Sequence, residues 1–269
     1  MSFLSLMAVA LFSAAALSAV MAWAWVVQQR IGSSRWVDAT WTLAVGGVAI
    51  AAALLPLDPA WPHWRQIAVA GLAAFWCLRL GLHMVERART TTDDPRYHRL
   101  AVDWGADATR RMFRFLQSQA AVGAVFAISI ALAAHNRAPG LRPADLIGAA
   151  VLLAAIAGEA IADRQLQKFR KNPSNKNRIC DAGLWRWSRH PNYFFEWLGW
   201  LAYPIVAIDL AGHNPYGWLA LAAPACMYWI LVYVSGIPPL EEHMLRTRGE
   251  AFRAHQKRTP AFFPIPFKP

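Results

Sequence analysis

Six side chains able to bind anions, exchange protons or grip an amide fall within eleven residues: Arg186, Arg189, His190, Asn192, Tyr193 and Glu196. Pro191 sits in their midst, and proline suits the first turn of a helix, where its missing N–H is not needed. A helix is therefore expected to begin near Pro191, with Asn192, Tyr193 and Glu196 in its first two turns. Free N–H groups at a helix start attract anions, and the guanidinium groups of Arg186 and Arg189 match phosphate. Asn192 and Glu196 are four residues apart and share a face, which fits them to hold an amide together. A plainer account makes the stretch a basic collar at a membrane boundary, with Tyr193, Trp197 and Trp200 as interfacial aromatics. That account covers the arginines and tryptophans but leaves Asn192 and Glu196 without a role.

Other chemistry-bearing residues lie outside this cluster. Asp163, Gln167 and Arg170 recur at i, i+4 and i+7, so one helix face presents a carboxylate, an amide and a guanidinium. Asp38 stands near Arg35 and Arg79 in apolar sequence, where a charge pairs across helices; an Asp38–Arg79 pair is expected. His83 closes an apolar block and is either a packing residue or a site residue. Glu241 and Glu242 read as solvated residues at the start of a tail helix. Cys77, Cys180 and Cys226 have neither disulfide nor metal-ligand spacing, so no metal site is expected.

These residues must be positioned by membrane helices. Hydrophobic residues make up 57% of the 269 and charged residues 16%, and the apolar residues come in blocks of about 20, the length that spans a bilayer as helix. Seven such blocks lie near 3–28, 36–55, 64–85, 113–134, 144–162, 193–211 and 216–236. Backbone groups in lipid must be satisfied internally, and the alternation a β-barrel needs is absent. The expectation is an all-α integral membrane bundle of seven transmembrane helices over a single domain, 1–269. Its chemistry sits in long loops on one side, with short turns at 56–59, 139–143 and 212–215 on the other. The first block lacks a basic leader and is too long for a signal peptide, so it reads as a retained helix.

All but four of the 27 basic residues (Arg65, Arg79, Arg137 and Arg142) fall in the loops or tail of one side. The positive-inside rule makes that side cytosolic, with the amino terminus outside and the carboxyl terminus in the cytoplasm, as in a bacterial inner membrane. The formal charge of +11 thus follows topology and attraction to anionic headgroups, and no nucleic acid is implied. After Pro238-Pro239, the apolar positions Leu240, Met244, Leu245 and Phe252 suit an amphipathic tail helix.

Taken together, the motifs resemble the steroid 5α-reductase superfamily, in particular its bacterial membrane relatives of largely unassigned substrate. They are Val37-Asp38-x-x-Trp41, Arg79-Leu-Gly81, Asp93-Asp-Pro-Arg-Tyr97, Gly183-Leu-Trp-Arg-Trp-Ser-Arg-His-Pro-Asn-Tyr193 and the tail from Pro239-Leu-Glu-Glu242 to Pro264. The resemblance spans about residues 35–265. It implies a seven-helix reductase that takes NADPH from the cytosol and moves a hydride to the carbon–carbon double bond of a lipophilic enone, a steroid or another lipid, in the bilayer. Asn192 and Glu196 resemble the residues beside the nicotinamide. Asp163, Arg170 and Arg178 resemble diphosphate and adenosine contacts, Arg87 a phosphate contact, and Arg189 and His190 part of the cofactor motif. Glu159 stands where the animal enzymes have asparagine. At the substrate end this chain has Asp38, Met84 and His83, and with Glu196 the candidates for catalysis are His83 and Tyr193 as proton donors. Arg-His-Pro-x-Tyr and the Glu-Glu pair also resemble S-adenosylmethionine-dependent isoprenylcysteine and phospholipid methyltransferases, which is the alternative reading. A dinucleotide glycine fingerprint is absent, which excludes a soluble Rossmann dehydrogenase.

Overall fold

A computed structural model describes residues 1–57, 63–176 and 178–265, in which all regular structure is helical. Part of the expected turn at 56–59, and Lys268 of the basic tail, lie outside the described residues. The α-helices are α1 (Phe3–Ile31), α2 (Val37–Ala53), α3 (Trp64–Thr90), α4 (Pro95–Trp104), α5 (Ala108–Ala134), α6 (Pro143–Lys171), α7 (Pro191–Trp200), α8 (Ala202–Ala207), α9 (Ala222–Trp229) and α10 (Ile237–Arg258). Five segments are long and apolar enough to cross a membrane: Phe3–Ile31, Trp64–Thr90, Arg96–Ala134, Pro143–Lys171 and Gly217–Arg258. The protein is thus a helical membrane protein by length and composition of its helices.

The other two expected blocks form shorter helices. α2 has 17 residues. The 193–211 block divides into α7 and α8, of 10 and 6 residues. Pro204 explains the division, because its ring would clash with the carbonyl four residues back, at Trp200, where α7 stops.

The chain forms two compact units, Met1–Asp145 with Tyr203–Ala223, and Leu146–Ala202 with Pro224–Pro269. In the first, α2 packs against α1, α3 and α5. A Cβ on Gly46 of α2 would lie 2.1 Å from Cys77 Sγ of α3, so glycine permits that close approach. One corner of this unit is tied by Arg65, only 1% exposed, which binds Asp145 at 2.9 Å and the carbonyls of Asn136, Ala138 and Gly140.

The second unit pairs α6 with α7. The Phe195 ring lies on Gly158, where a Cβ would come within 2.4 Å of it. α6 runs on past its apolar part and ends at Lys171, just before Asn172-Pro173. The chain then turns at Gly183, whose φ of 61° favours glycine, into the short helix Gly183–Arg186. Edge-to-face contacts among Phe194, Trp197, Tyr228, Phe262 and Phe263 knit α7, α9 and the carboxyl-terminal segment together.

Candidate functional site

α7 begins at Pro191, so Asn192 and Glu196 lie on one face of its first two turns, as its sequence requires. Across from it on α6, Asp163 Oδ1 accepts a hydrogen bond from Asn192 Nδ2 at 3.4 Å. One turn further along α7, Glu196 Oε1 accepts from the indole N–H of buried Trp200 at 3.0 Å. Asp163, Asn192 and Glu196 are therefore brought together within the second unit. Glu159, one turn before Asp163 on α6, is buried.

Arg170 and Arg178 are exposed on the connection between α6 and α7. So are Arg164, Lys168, Lys171, Lys176 and Arg186. None of these seven cations makes an ion pair among the described residues.

Arg189 and His190 are placed differently. The Arg189 guanidinium binds Glu241 through Nε at 2.7 Å and Nη2 at 3.0 Å, and it donates to the carbonyls of Gln256 and Thr259. His190 Nε2 lies 2.9 Å from Glu241 Oε1, and Gln256 Nε2 donates to Glu241 Oε2 at 2.7 Å. The backbone continues this tie: Arg189 N–H donates to Pro260 O, Ser188 Oγ to Phe262 O and Ile265 N–H to Trp187 O. Arg189 and His190 thus clamp α10 and the segment after it onto the start of α7, rather than presenting free donors. Tyr193 stacks on the His190 ring at 5.4 Å. Burial pushes the His190 pKa below its usual value; the Glu241 bond pulls upward and Arg189 reinforces the depression. The imidazole is neutral at pH 7 and donates from Nε2.

Glu241 corrects one expectation. Glu242 is half-exposed as a solvated cap should be, but Glu241 is buried with Ile237, Phe252 and His255 on the inner face of α10. Leu240, expected on that face, is 38% exposed. The reason is the clamp, which turns α10 so that Glu241 points inward. Gly249, with φ of 49°, kinks α10 between Glu241 and the pair Phe252 and His255, so no unbroken helical spacing announces the burial of Glu241.

His83 and Arg87 belong to the other unit. His83 is exposed on α3. Arg87 is half-exposed and binds Asp94 at 2.9 Å. That unit also holds a constellation the spacing of residues did not reveal. Tyr97 donates its hydroxyl hydrogen to Asp38 Oδ1 at 2.8 Å and accepts from Gln119 Nε2 at 3.0 Å, while Arg96 binds the other Asp38 oxygen. Asp94, which caps α4 and takes both Arg87 and Arg96, is buried, which raises its pKa; the two arginines outweigh this and hold it below the usual carboxylate range.

Comparison with curated proteins and with solved structures finds no match. The model of the DUF1295 family, described as "Protein of unknown function", matches residues 24–259, and the chain belongs to that family.

Proposed function

We propose that the protein is a membrane-embedded, NADPH-dependent reductase that delivers a hydride to the carbon–carbon double bond of a lipophilic enone. The observation that carries this reading is the set Asp163, Asn192 and Glu196 brought together on α6 and α7, with Arg170 at the end of α6 and Arg178 just after it exposed and without an ion pair among the described residues. The resemblance of the 183–197 and 239–264 motifs to the steroid 5α-reductase superfamily supports it.

The donor set fits the cofactor. A primary carboxamide carries two N–H donors and one acceptor. Asn192 and Glu196 supply acceptors on one face, and the Asp163 bond fixes which way the Asn192 amide is turned. Arg170 and Arg178 supply the planar donors that phosphate oxygens take best. When bound there, NADPH supplies the hydride. Reduction of an enone adds that hydride at the β-carbon, moves the electron pair to the carbonyl oxygen and ends with protonation of the α-carbon. The acid must sit within hydrogen-bond reach of the acceptor; within the second unit Tyr193, on the same helix as Asn192 and Glu196, is the candidate. Arg189 and His190 position the start of α7 through Glu241. In this reading the amino terminus is outside, the basic connections are cytosolic, and the membrane is a bacterial inner membrane.

Calorimetry on detergent-purified protein tests the proposal. Saturable NADPH binding is expected, with Asn192→Ala or Glu196→Ala each weakening it about tenfold, the size of one well-placed hydrogen bond. Absence of NADPH affinity together with binding of S-adenosylmethionine establishes the methyltransferase reading instead.

A further inference from the structure

α6 presents two opposed faces to the chemistry of its unit. Asp163, Gln167 and Arg170 lie on one, and Gly158, Ile161 and Gln165 lie about 180° around the helix from them. That second face lines a cavity of about 340 Å³ with Leu184, Trp187 and Phe195. Two close contacts build it. Phe195 packs on the bare backbone of Gly158, and Gln165 Oε1 accepts from the Leu184 N–H at 2.9 Å, fixing the Gly183–Arg186 turn to α6. Apart from the Gln165 amide, its walls are hydrocarbon.

The cavity opens on an apolar surface. Ile161 and Trp187 are 47% and 44% exposed, and α6 is one of the helices long and apolar enough to cross a membrane. One end of the opening is cationic. Lys168 follows Ile161 and Gln165 on the same face at i+7 and i+3, Arg164 flanks it, and Arg186 precedes Trp187 on the opposite wall. All three are exposed and without an ion pair among the described residues. A hydrocarbon groove that ends among unneutralised cations complements an amphiphile with an anionic head.

We propose that this groove binds an anionic phospholipid of the surrounding bilayer. One acyl chain lies along Ile161, Leu184, Trp187 and Phe195, and the phosphate meets Lys168 and Arg186. The site occupies the other face of α6 from the cofactor residues, so it stands or falls independently of the proposed reductase.

Native mass spectrometry of the full chain in detergent tests it, using dioleoyl-phosphatidylglycerol and dioleoyl-phosphatidylcholine at equal concentration. The expected result is retention of one phosphatidylglycerol, preferred by about fivefold for each cation engaged. Lys168→Glu with Arg186→Glu should abolish the preference, and Ile161→Trp should lower retention of both lipids by filling the groove. Lys171→Glu with Lys176→Glu makes the same change of net charge elsewhere in the connection and should leave the preference intact. Equal retention of the two lipids by the wild-type protein overturns the proposal, a comparison that needs no variant to fold. So does a preference that survives the Lys168/Arg186 exchange, or one lost equally with Lys171/Lys176, which marks diffuse attraction to headgroups.

Discussion

Two connections of this protein carry almost the same basic charge and use it in opposite ways. Residues 87–114 hold seven arginines, interleaved with Asp93, Asp94, Asp103 and Asp107. Arg87 and Arg96 bind Asp94, Arg96 also binds Asp38, and Arg99 and Arg111 pair with carboxylates four residues away. Residues 164–189 hold eight cations and one acid, Asp181. Among the described residues only Arg189 of these cations is paired, and its carboxylate comes from Glu241, far along the chain. The first connection ties its charge into its own architecture, whereas the second leaves most of its charge exposed and unpaired among the described residues, as the proposed anionic ligands require. Net charge per segment does not separate these cases; the placement of carboxylates does.

The comparison can be broken most forcefully at its exception. Glu241→Ala leaves the largely buried Arg189 guanidinium without a counter-ion and the neutral His190 without its acceptor, and a loss of about 3–5 kcal/mol is expected, read as a fall in unfolding midpoint in detergent. A change under about 1 kcal/mol would mean that Arg189 belongs with its exposed neighbours. Next in size, Arg170→Ala with Arg178→Ala should weaken NADPH binding tenfold or more, at about 1.4 kcal/mol per decade. Arg99→Ala with Arg111→Ala should leave that affinity unchanged and cost at most about 1 kcal/mol of stability, as exposed pairs do. Equal effects of the two pairs on cofactor affinity would erase the distinction between the connections. Asp94→Ala should cost about 1 kcal/mol or somewhat more through the lost α4 cap, with no effect on cofactor affinity.

Acidification sharpens the comparison by the smallest margin, through depressed pKa values that include those of His190 and Asp94. His190 is held neutral by burial, so its stabilisation is complete above its ordinary value of about 6.5. The unfolded chain binds the proton first, and that stabilisation is lost as pH falls through the lowered folded value. Asp94 behaves in the same sense, but its contribution is lost only below the ordinary carboxylate value of about 3.9. Stability measured from pH 7.5 to 5.5 should therefore decline in the wild-type protein through His190 and His255, whose pKa burial also lowers, and His190→Gln should make the decline shallower. A decline unchanged by that substitution assigns the effect to another group.

Much of the site was legible because its signals are local. Pro191 marks the start of α7, Asn172-Pro173 stops α6, and Asn192 and Glu196 share a face by spacing alone. Five of the seven apolar blocks became segments long and apolar enough to cross a membrane. The sixth did not, because Pro204 interrupts a hydrophobic run that composition alone makes continuous. The clamp was not legible: Arg189 and Glu241 are 52 residues apart, and no periodicity links a loop arginine to a distant carboxylate. Asp38 and Tyr97 likewise meet across 59 residues. Sequence spacing shows which residues share a helix face, but the partner of a buried charge depends on how the helices pack.

Transfer of label tests the central claim most directly. The purified protein would be incubated with a total membrane lipid extract, NADPH deuterated at the transferable position of C4, and methyl-deuterated S-adenosylmethionine, and the lipids examined by mass spectrometry. The account predicts a lipid that has gained one deuterium from NADPH and one hydrogen from solvent at a former double bond, lost in Glu196→Ala. A lipid that instead gains the deuterated methyl group, with none labelled from NADPH, would contradict it.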